Sequence, residues 1–451
     1  MCAKAFGLRR MTVSTPLEEL ANLFPTPLYI VGGAVRDFVA GFPVSDIDLA
    51  ASLKPDELIA ILKDSNFKVS PTSLKLGTLK IRAKNESYEY TSFRTDSYPL
   101  DGSHRPSDVK FTKEIKEDAL RRDFTINAVY YHIKTQEFVD LCGGIPDIKN
   151  RLIRTTAHPE KVLKEDALRV LRGIRIAAQT GFEIENKTFA ALAAYASGLK
   201  NIAAERIREE FDKIIIADTH LGIKDGHIRG LRLLDEIGAL KYIVPELLEG
   251  KGVLQRADFH KYDVFGHALS VFEAAPPEIR LAALLHDIAK PATLRKTGRF
   301  AGHDKAGAEM AVNIMRRLVY PEAEIRRVKK LIAAHMYDLD NKTGEKKLRL
   351  FILEHCDIIE DLIKLKRADI AGGGIIKEDV PLRLEETYHS MLNEGVAFSI
   401  KALPISGRDL LELDIPANTR GALLGDLLKR SVNDSALRTR EAALNFAKKY
   451  K

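Results

Sequence analysis

The sequence predicts an α+β protein, a small mixed-sheet head followed by a long all-α body, on three observations. Residues 28–50, LYIVGGAVRD through SDIDLA, read as a strand, a tight Gly-Gly turn, a helix and a second strand. Up to about residue 155, short apolar runs with two-residue alternation mix with helical stretches. Beyond that point the strands disappear: from His158 to the C-terminus apolar residues recur at helical spacing, as in KVLKEDALRVLRGIRIAAQ and IREEFDKIII. Turn clusters at Gly250–Gly252, Pro276–Pro277 and Gly372–Gly374 break that spacing. The expected domains are a head at 1–155, a helical neck at 156–255, a histidine-rich helical domain at 256–375 and a helical tail at 376–451. No fixed-period repeat is visible.

Taken in order, Leu28–Val31 reads as a short buried strand and Gly32–Gly33 as the turn. Ala34–Ala40 opens a helix whose first backbone N–H groups lack partners and so suit an anionic phosphate, with Arg36 as an added cation. Asp46 and Asp48 stand two apart in the next apolar strand, so both side chains project from one face, as binding a pair of divalent metals requires. Either feature alone is ordinary turn or strand-end chemistry; their order within one unit makes them specific. Pro55–Lys63 reads as a helix, and Lys75–Arg82 and Ser87–Arg94 as strands. Alternation puts Glu89 on one face of the latter, where it could be a third carboxylate at the metals or an exposed strand residue. Thr95–Val109 is polar and aperiodic, with Pro99, Gly102 and Pro106, and reads as a mobile loop beside the same site.

Two charged motifs follow. In KEDALRRDFTINAVYY, Arg122 can contact phosphate, and Asp123 with Asn127 can orient substrate or backbone; the plain alternative is a charged helix surface. In KEDALRVLRGIR, Asp166 and Arg169 are three apart and on one helix would share a face. An acceptor beside a donor complements the Watson–Crick edges of cytosine and adenine and refuses those of uracil and guanine. The alternative is a Glu165–Arg169 surface pair. In the body, His260, His267, His286, His303 and His335 crowd together, His286 is followed by Asp287, and Asp369 lies downstream. Imidazoles and carboxylates on successive helices suit a transition metal that activates water against a phosphate ester, although any single histidine is more often a core or capping residue.

Composition sets outer limits. The 451 residues allow roughly three domains of about 150 residues. A formal charge of +7 favours a polyanionic partner, nucleic acid first. Cys2, Cys142 and Cys356 have no CxxC spacing, which argues against a disulfide framework or a zinc site and for a reducing compartment. The basic MCAKAFGLRR opening lacks an apolar signal core, and no apolar run approaches the ~18 residues of a membrane span, so a soluble cytoplasmic protein without membrane contact is expected.

The Gly-Gly turn with its Asp-x-Asp pair resembles the catalytic head of the DNA polymerase beta-like nucleotidyltransferases. Neither GxGxxG nor GxxxxGK[ST] follows a strand, so dinucleotide and Walker-type folds are not indicated. With the later motifs, most of residues 25–215 resemble the class II tRNA nucleotidyltransferases, which build or repair the 3′-terminal CCA of tRNA. The resemblance places Gly32, Gly33, Arg36 and Asp37 on the nucleotide-binding turn and Asp46 and Asp48 on the carboxylates that hold the catalytic Mg²⁺ ions, which Glu89, read from strand alternation, would join. It puts Arg122 and Asp123 on the RRD motif, beside which Asn127 is read from the residues as part of the same nucleotide site, and Asp140, Gly143 and Gly144 on a hinge-like segment before the neck. Glu165, Asp166 and Arg169 fall on the base-reading EDxxR motif, and Glu205–Phe211 on a supporting helix.

The order H…HD…D resembles the HD phosphohydrolase superfamily, and GRFAGHDKAG matches a segment that often follows the HD pair in tRNA nucleotidyltransferases. It implies a site of His267, His286, Asp287 and Asp369, with His303 and His335 as further candidates, holding Mn²⁺, Ni²⁺ or Co²⁺ and acting on 2′,3′-cyclic phosphates or 2′-nucleotides.

The resulting expectation is template-independent addition of CCA, from CTP and ATP, to the acceptor end of tRNA, with a helical tail (SGRDLLEL and the basic stretches after Lys429) touching phosphates. A-only addition stays open as the close alternative, because EDALR does not distinguish the two; the full-length loop at Thr95–Val109 favours complete addition. A bacterial poly(A) polymerase is a further alternative, although PTSLKLGTLKIR replaces the GRRFRLAHV-like segment associated with it. A catalytically dead tRNA-binding module is the last.

Overall fold

The computed structural model describes residues 8–97, 108–256, 261–339, 341–374 and 382–449. The chain divides into two compact units, residues 1–248 with 317–319, and 249–316 with 320–451. No described helix is long and apolar enough to cross a membrane.

The first unit is built on a seven-stranded mixed sheet in the order β3-β4-β5-β2-β1-β8-β9. Its strands are β1 (Tyr29–Val31), β2 (Asp48–Ala51), β3 (Lys68–Ser73), β4 (Thr78–Ala83), β5 (Glu86–Ser92), β8 (Val129–His132) and β9 (Glu137–Asp140). Only β2 and β5 run parallel; the other neighbours are antiparallel. β6 (Arg94–Ser97) and β7 (Asp108–Phe111) form a separate antiparallel pair. Alternation along β4 and β5 puts Leu79, Ile81, Tyr88 and Tyr90 into one buried cluster with Leu17, Leu20, Ile30 and Phe124. Helices α1 (Thr15–Leu23), α2 (Gly33–Ala40) and α3 (Pro55–Leu62) cover that face.

Several segments of the framework differ from the sequence readings. Lys75–Arg82 is not one strand: a short turn over Leu74–Leu76 precedes β4, because Gly77 adopts φ 72°. The ends of the Thr95–Val109 segment are the paired strands β6 and β7, while its centre lies outside the described residues. Strands persist slightly past residue 155, since β11 (Glu183–Ile184) pairs in parallel with β10 (Leu152–Ile153). Gly372 and Gly373 stay helical and only Gly374 turns; a Cβ on Gly372 would lie 2.6 Å from the Val271 nitrogen, so that glycine permits close helix packing.

Helices α4 (Ile115–Leu120) and α5 (Gly144–Lys149) flank the sheet, and α6 (Pro159–Glu165), α7 (Leu168–Thr180), α8 (Asn186–Tyr195) and α9 (Ala204–Ile215) follow it. The second unit is helical throughout its described residues. Its C-terminal part closes on its own cluster of Leu410, Leu423, Leu427, Ala443 and Ala447.

Candidate functional site

The end of β1 feeds the Gly32–Gly33 turn, and the start of β2 lies beside it: Val31 pairs with Asp48, and Asp48 pairs across the sheet with Glu89 on β5. Register alone therefore brings the turn and two carboxylates together. Gly32 adopts φ 81° and ψ −140°, a backbone region open essentially to glycine, and a Cβ there would stand 3.4 Å from Asp48 Oδ2. No side chain caps α2, which leaves its first N–H groups for a ligand. Asp46 is not on the strand face expected for it. Pairing begins only at Asp48, where β1 and β5 supply partners, and Asp46 lies in the irregular segment before it while lining the same cavity.

That cavity has a volume of about 650 Å³. Burial, then Glu89, then Asp46 push the Asp48 carboxyl up to about 6, against the pull of Arg122 and Arg172. Asp48 is open to the cavity by area, yet the surrounding protein replaces most of its bulk water. Crowded oxygens of this kind are a donor set for hard divalent cations. A second recess of about 370 Å³ shares Asp48 and Glu89 and extends along Leu76, Thr78 and Thr91.

The cations have partners that the sequence did not reveal. Arg36 lines the cavity beside Gly33, and its guanidinium is already engaged there: Nε and one Nη grip Asp37 at 2.8 and 3.0 Å, and the other Nη donates to Asn127 Oδ1 at 3.0 Å. Arg122 donates to Asp118 at 3.0 Å and to the Tyr130 hydroxyl at 2.9 Å. Burial alone would raise Asp118, but Arg122, Arg121 and the Tyr130 hydroxyl lower it to about 2. Asp123 accepts from Arg172 at 2.7 Å, from the Phe124 amide at 2.8 Å and from Asn127 at 3.2 Å, which holds it well below the usual carboxylate range despite burial. Asp118, Tyr130 and Arg172 were missed; the signal available was the spacing of Asp118 three and four residues before Arg121 and Arg122.

Asp166 and Arg169 do not share one helix. The chain breaks between α6 and α7, with Asp166 extended at φ −148° and its Oδ1 capping the Leu168 amide at 2.9 Å. Arg169 is buried and donates to Val162 O at 3.0 Å, Glu165 at 3.4 Å and Arg121 O at 2.8 Å. Both residues still line the 650 Å³ cavity. In the segment that the resemblance marks as hinge-like, Asp140 accepts from the amides of Cys142, Gly144 and Ile145, and a Cβ on Gly144 would lie 2.1 Å from the Thr125 carbonyl.

A second constellation lies wholly within the other unit. His267, His286 and Asp369 form one group able to hold a metal ion, and Asp287, His303 and His335 form another. Asp287 joins them, with Oδ2 3.2 Å from His286 Nε2 and 3.5 Å from His267 Nε2, and Oδ1 3.1 Å from His303 Nε2 and 3.7 Å from His335 Nε2. The Nδ1 atoms of His286, His303 and His335 lie 2.7, 2.7 and 2.6 Å from backbone carbonyls, which fixes the tautomer and leaves Nε2 facing inward. Those three Nε2 atoms and both Asp287 oxygens are buried without a well-formed hydrogen bond. Their donor chemistry fits a transition metal. Against its burial, Asp287 is held well below the usual range by His286 and Lys290, whose ammonium is 2.6 Å away. Burial would lower His286, but Asp287 raises it; burial lowers His335. His260 lies outside the described residues.

Comparison with known proteins gives three domain matches: the poly A polymerase head domain over residues 28–154, a probable RNA and SrmB-binding site of polymerase A over 181–250, and the HD domain over 260–369. A CCA-adding enzyme of Enterococcus faecalis is 39% identical over 209 residues, 46% of this chain and 50% of that protein. One of Bacillus cereus is 38% identical over 237 residues, 52% of this chain and 56% of that protein. The chain thus spans about half the length of the curated relatives it matches. The fold is similar to the Bacillus stearothermophilus CCA-adding enzyme in complex with CTP (TM-score 0.67, 23% identity, 97% of this chain and 98% of the other). It is similar also to the Thermotoga maritima CCA-adding enzyme in complex with tRNA (TM-score 0.59, 19% identity, 99% and 98%).

Proposed function

We infer that this chain is a tRNA nucleotidyltransferase with an HD domain and adds CCA to the 3′ end of tRNA in the cytoplasm, with CTP and ATP as donors. The observation that carries the reading is the meeting of the Gly32–Gly33 turn with Asp46, Asp48 and Glu89 at one end of the central strands. Mg²⁺ held by these carboxylates would supply the lowered pKa of the attacking hydroxyl and the neutralisation of the triphosphate. The triphosphate lies in the 650 Å³ cavity against the free N–H groups of α2, and Arg122 balances its charge. The RNA hydroxyl approaches from the 370 Å³ recess, because Asp48 and Glu89 are common to both spaces. Asp123, fixed by Arg172 and Asn127, keeps the wall between head and α7 rigid. Asp166 and Arg169 select the base by presenting an acceptor beside a donor; Arg169 must exchange one of its backbone acceptors for the nucleotide to do so. Replacing Asp48 with Ala should abolish incorporation while tRNA binding, read by gel shift, stays within about threefold of wild type. Incorporation near the wild-type rate in a folded Asp48→Ala protein would exclude the mechanism.

The histidine cluster supports a second, separate activity. Two three-residue groups sharing access to Asp287 point to a metal-dependent phosphohydrolase acting on 2′,3′-cyclic phosphates or 2′-nucleotides. Mn²⁺, Ni²⁺ or Co²⁺ held by His267, His286, Asp287 and Asp369, with His303 and His335, would supply an activated water. His286→Ala should remove this hydrolysis and lower bound metal by elemental analysis, yet leave nucleotide addition in place. Hydrolysis unchanged in that variant would refute the assignment.

A further inference from the structure

The wall of the nucleotide cavity contains a buried carboxylate that the reading above leaves without a role. Asp96, on β6, has a side chain only 1% exposed. Arg94 is its nearer partner, with Nε 2.9 Å from Oδ1 and Nη2 donating to Oδ2 at 3.3 Å, while Arg121 Nη1 stands 3.5 Å from Oδ2 and the residue lines the cavity. Arg94 already pairs with this buried charge, so the contact with Arg121 is not needed for neutralisation alone.

Arg121 links Asp96 to the base-reading pair. Its guanidinium lies between two carboxylates, 2.6 Å from Asp118 and 3.5 Å from Asp96, while its own carbonyl accepts from Arg169 Nη2 at 2.8 Å. The side-chain end of Arg121 is therefore tied to β6, and its main-chain end is tied to the donor of the base-reading pair. Asp118 at the same time holds Arg122 and Tyr130, so the Asp118 end alone fixes the phosphate-contacting side of the motif. Asp96 adds the constraint that points along the chain toward Arg169.

We propose that Asp96 is a positioning residue for base selection: through Arg121 it fixes the carbonyl that orients Arg169, without itself touching nucleotide or metal. The inference rests on the base-selecting reading of Asp166 and Arg169. Removing the Asp96 charge leaves Arg121 held only by Asp118, lets its main chain shift, and blurs the direction in which Arg169 presents its donors. The consequence is a loss of discrimination among bases larger than the loss of turnover, because phosphate and carboxylate groups keep their own partners.

The test uses the full chain with a tRNA transcript lacking CCA and each nucleotide supplied singly. In Asp96→Asn the ratio of kcat/KM for CTP over UTP should fall by about tenfold or more, while kcat for CTP falls less than that. Asp96→Glu should restore most of the ratio. Arg121→Lys, whose ammonium cannot span both carboxylates, should lower the same ratio and serves should Asp96→Asn not fold. A ratio within twofold of wild type in a folded Asp96→Asn or Arg121→Lys protein overturns the proposal, as does an equal loss for all nucleotides, which would mark a purely structural role. If the unaltered protein adds no nucleotide at all, the proposal falls together with the reading beneath it; if it adds CTP and ATP normally, only the role of Asp96 is in question.

Discussion

At the scale of single residues, the candidate nucleotide site is laced by buried charge pairs. Asp118 is its centre, fully buried and shared by Arg121, Arg122 and Tyr130. Because its folded-state pKa, about 2, lies below the 3.8 of a free aspartate, the folded protein binds its proton less readily than the unfolded chain. Its contribution is therefore fully present above about pH 4 and is lost as pH falls toward 2. Asp118→Asn should cost about 2–3 kcal/mol at pH 7, and the gap from wild type should close by about pH 2. Urea unfolding across that range measures it; a gap independent of pH would mean that packing, not charge, holds the motif. The sequence displayed these charges but not their partners: Arg36 and Arg122 looked like ligands for phosphate, and the folded chain shows each already engaged by a neighbouring carboxylate. Charge type is legible in a sequence, whereas who satisfies it depends on elements remote along the chain.

At the scale of elements, two local breaks decide the site's shape. The turn between β1 and α2 needs the backbone of Gly32, and the glycine also leaves room for Asp48 Oδ2. Gly32→Ala should cost about 1–3 kcal/mol in stability and should displace Asp48, lowering CTP addition by more than tenfold. Thermal unfolding together with single-turnover incorporation checks it, and an active, equally stable Ala variant would show that the turn tolerates a side chain. This turn was readable because Gly-Gly between a strand and a helix has few other uses. The break between α6 and α7 was not. KVLKEDALRVLRG keeps helical periodicity straight through Asp166, and periodicity reports which face is apolar, not whether the backbone is continuous. The Asp166 cap at the start of α7 was the missed signal.

For the whole molecule, the order of head, helical segment and histidine-rich domain was legible from the change in apolar period and from the motifs placed along it, and the domain matches fall in that same order. The bounds of each domain were less so, since contacts that close a unit need not follow chain order: residues 317–319 join the first unit although their neighbours belong to the second. The two constellations lie in different units, so their chemistries should be separable by mutation. The most direct test of the central claim is the product formed on a tRNA transcript lacking all three terminal nucleotides, incubated with Mg²⁺, CTP and ATP and resolved at single-nucleotide length. The account predicts extension by C, C and A, with neither UTP nor GTP incorporated. Extension by A only on transcripts that already end in CC, arrest after CC, or no extension would contradict it.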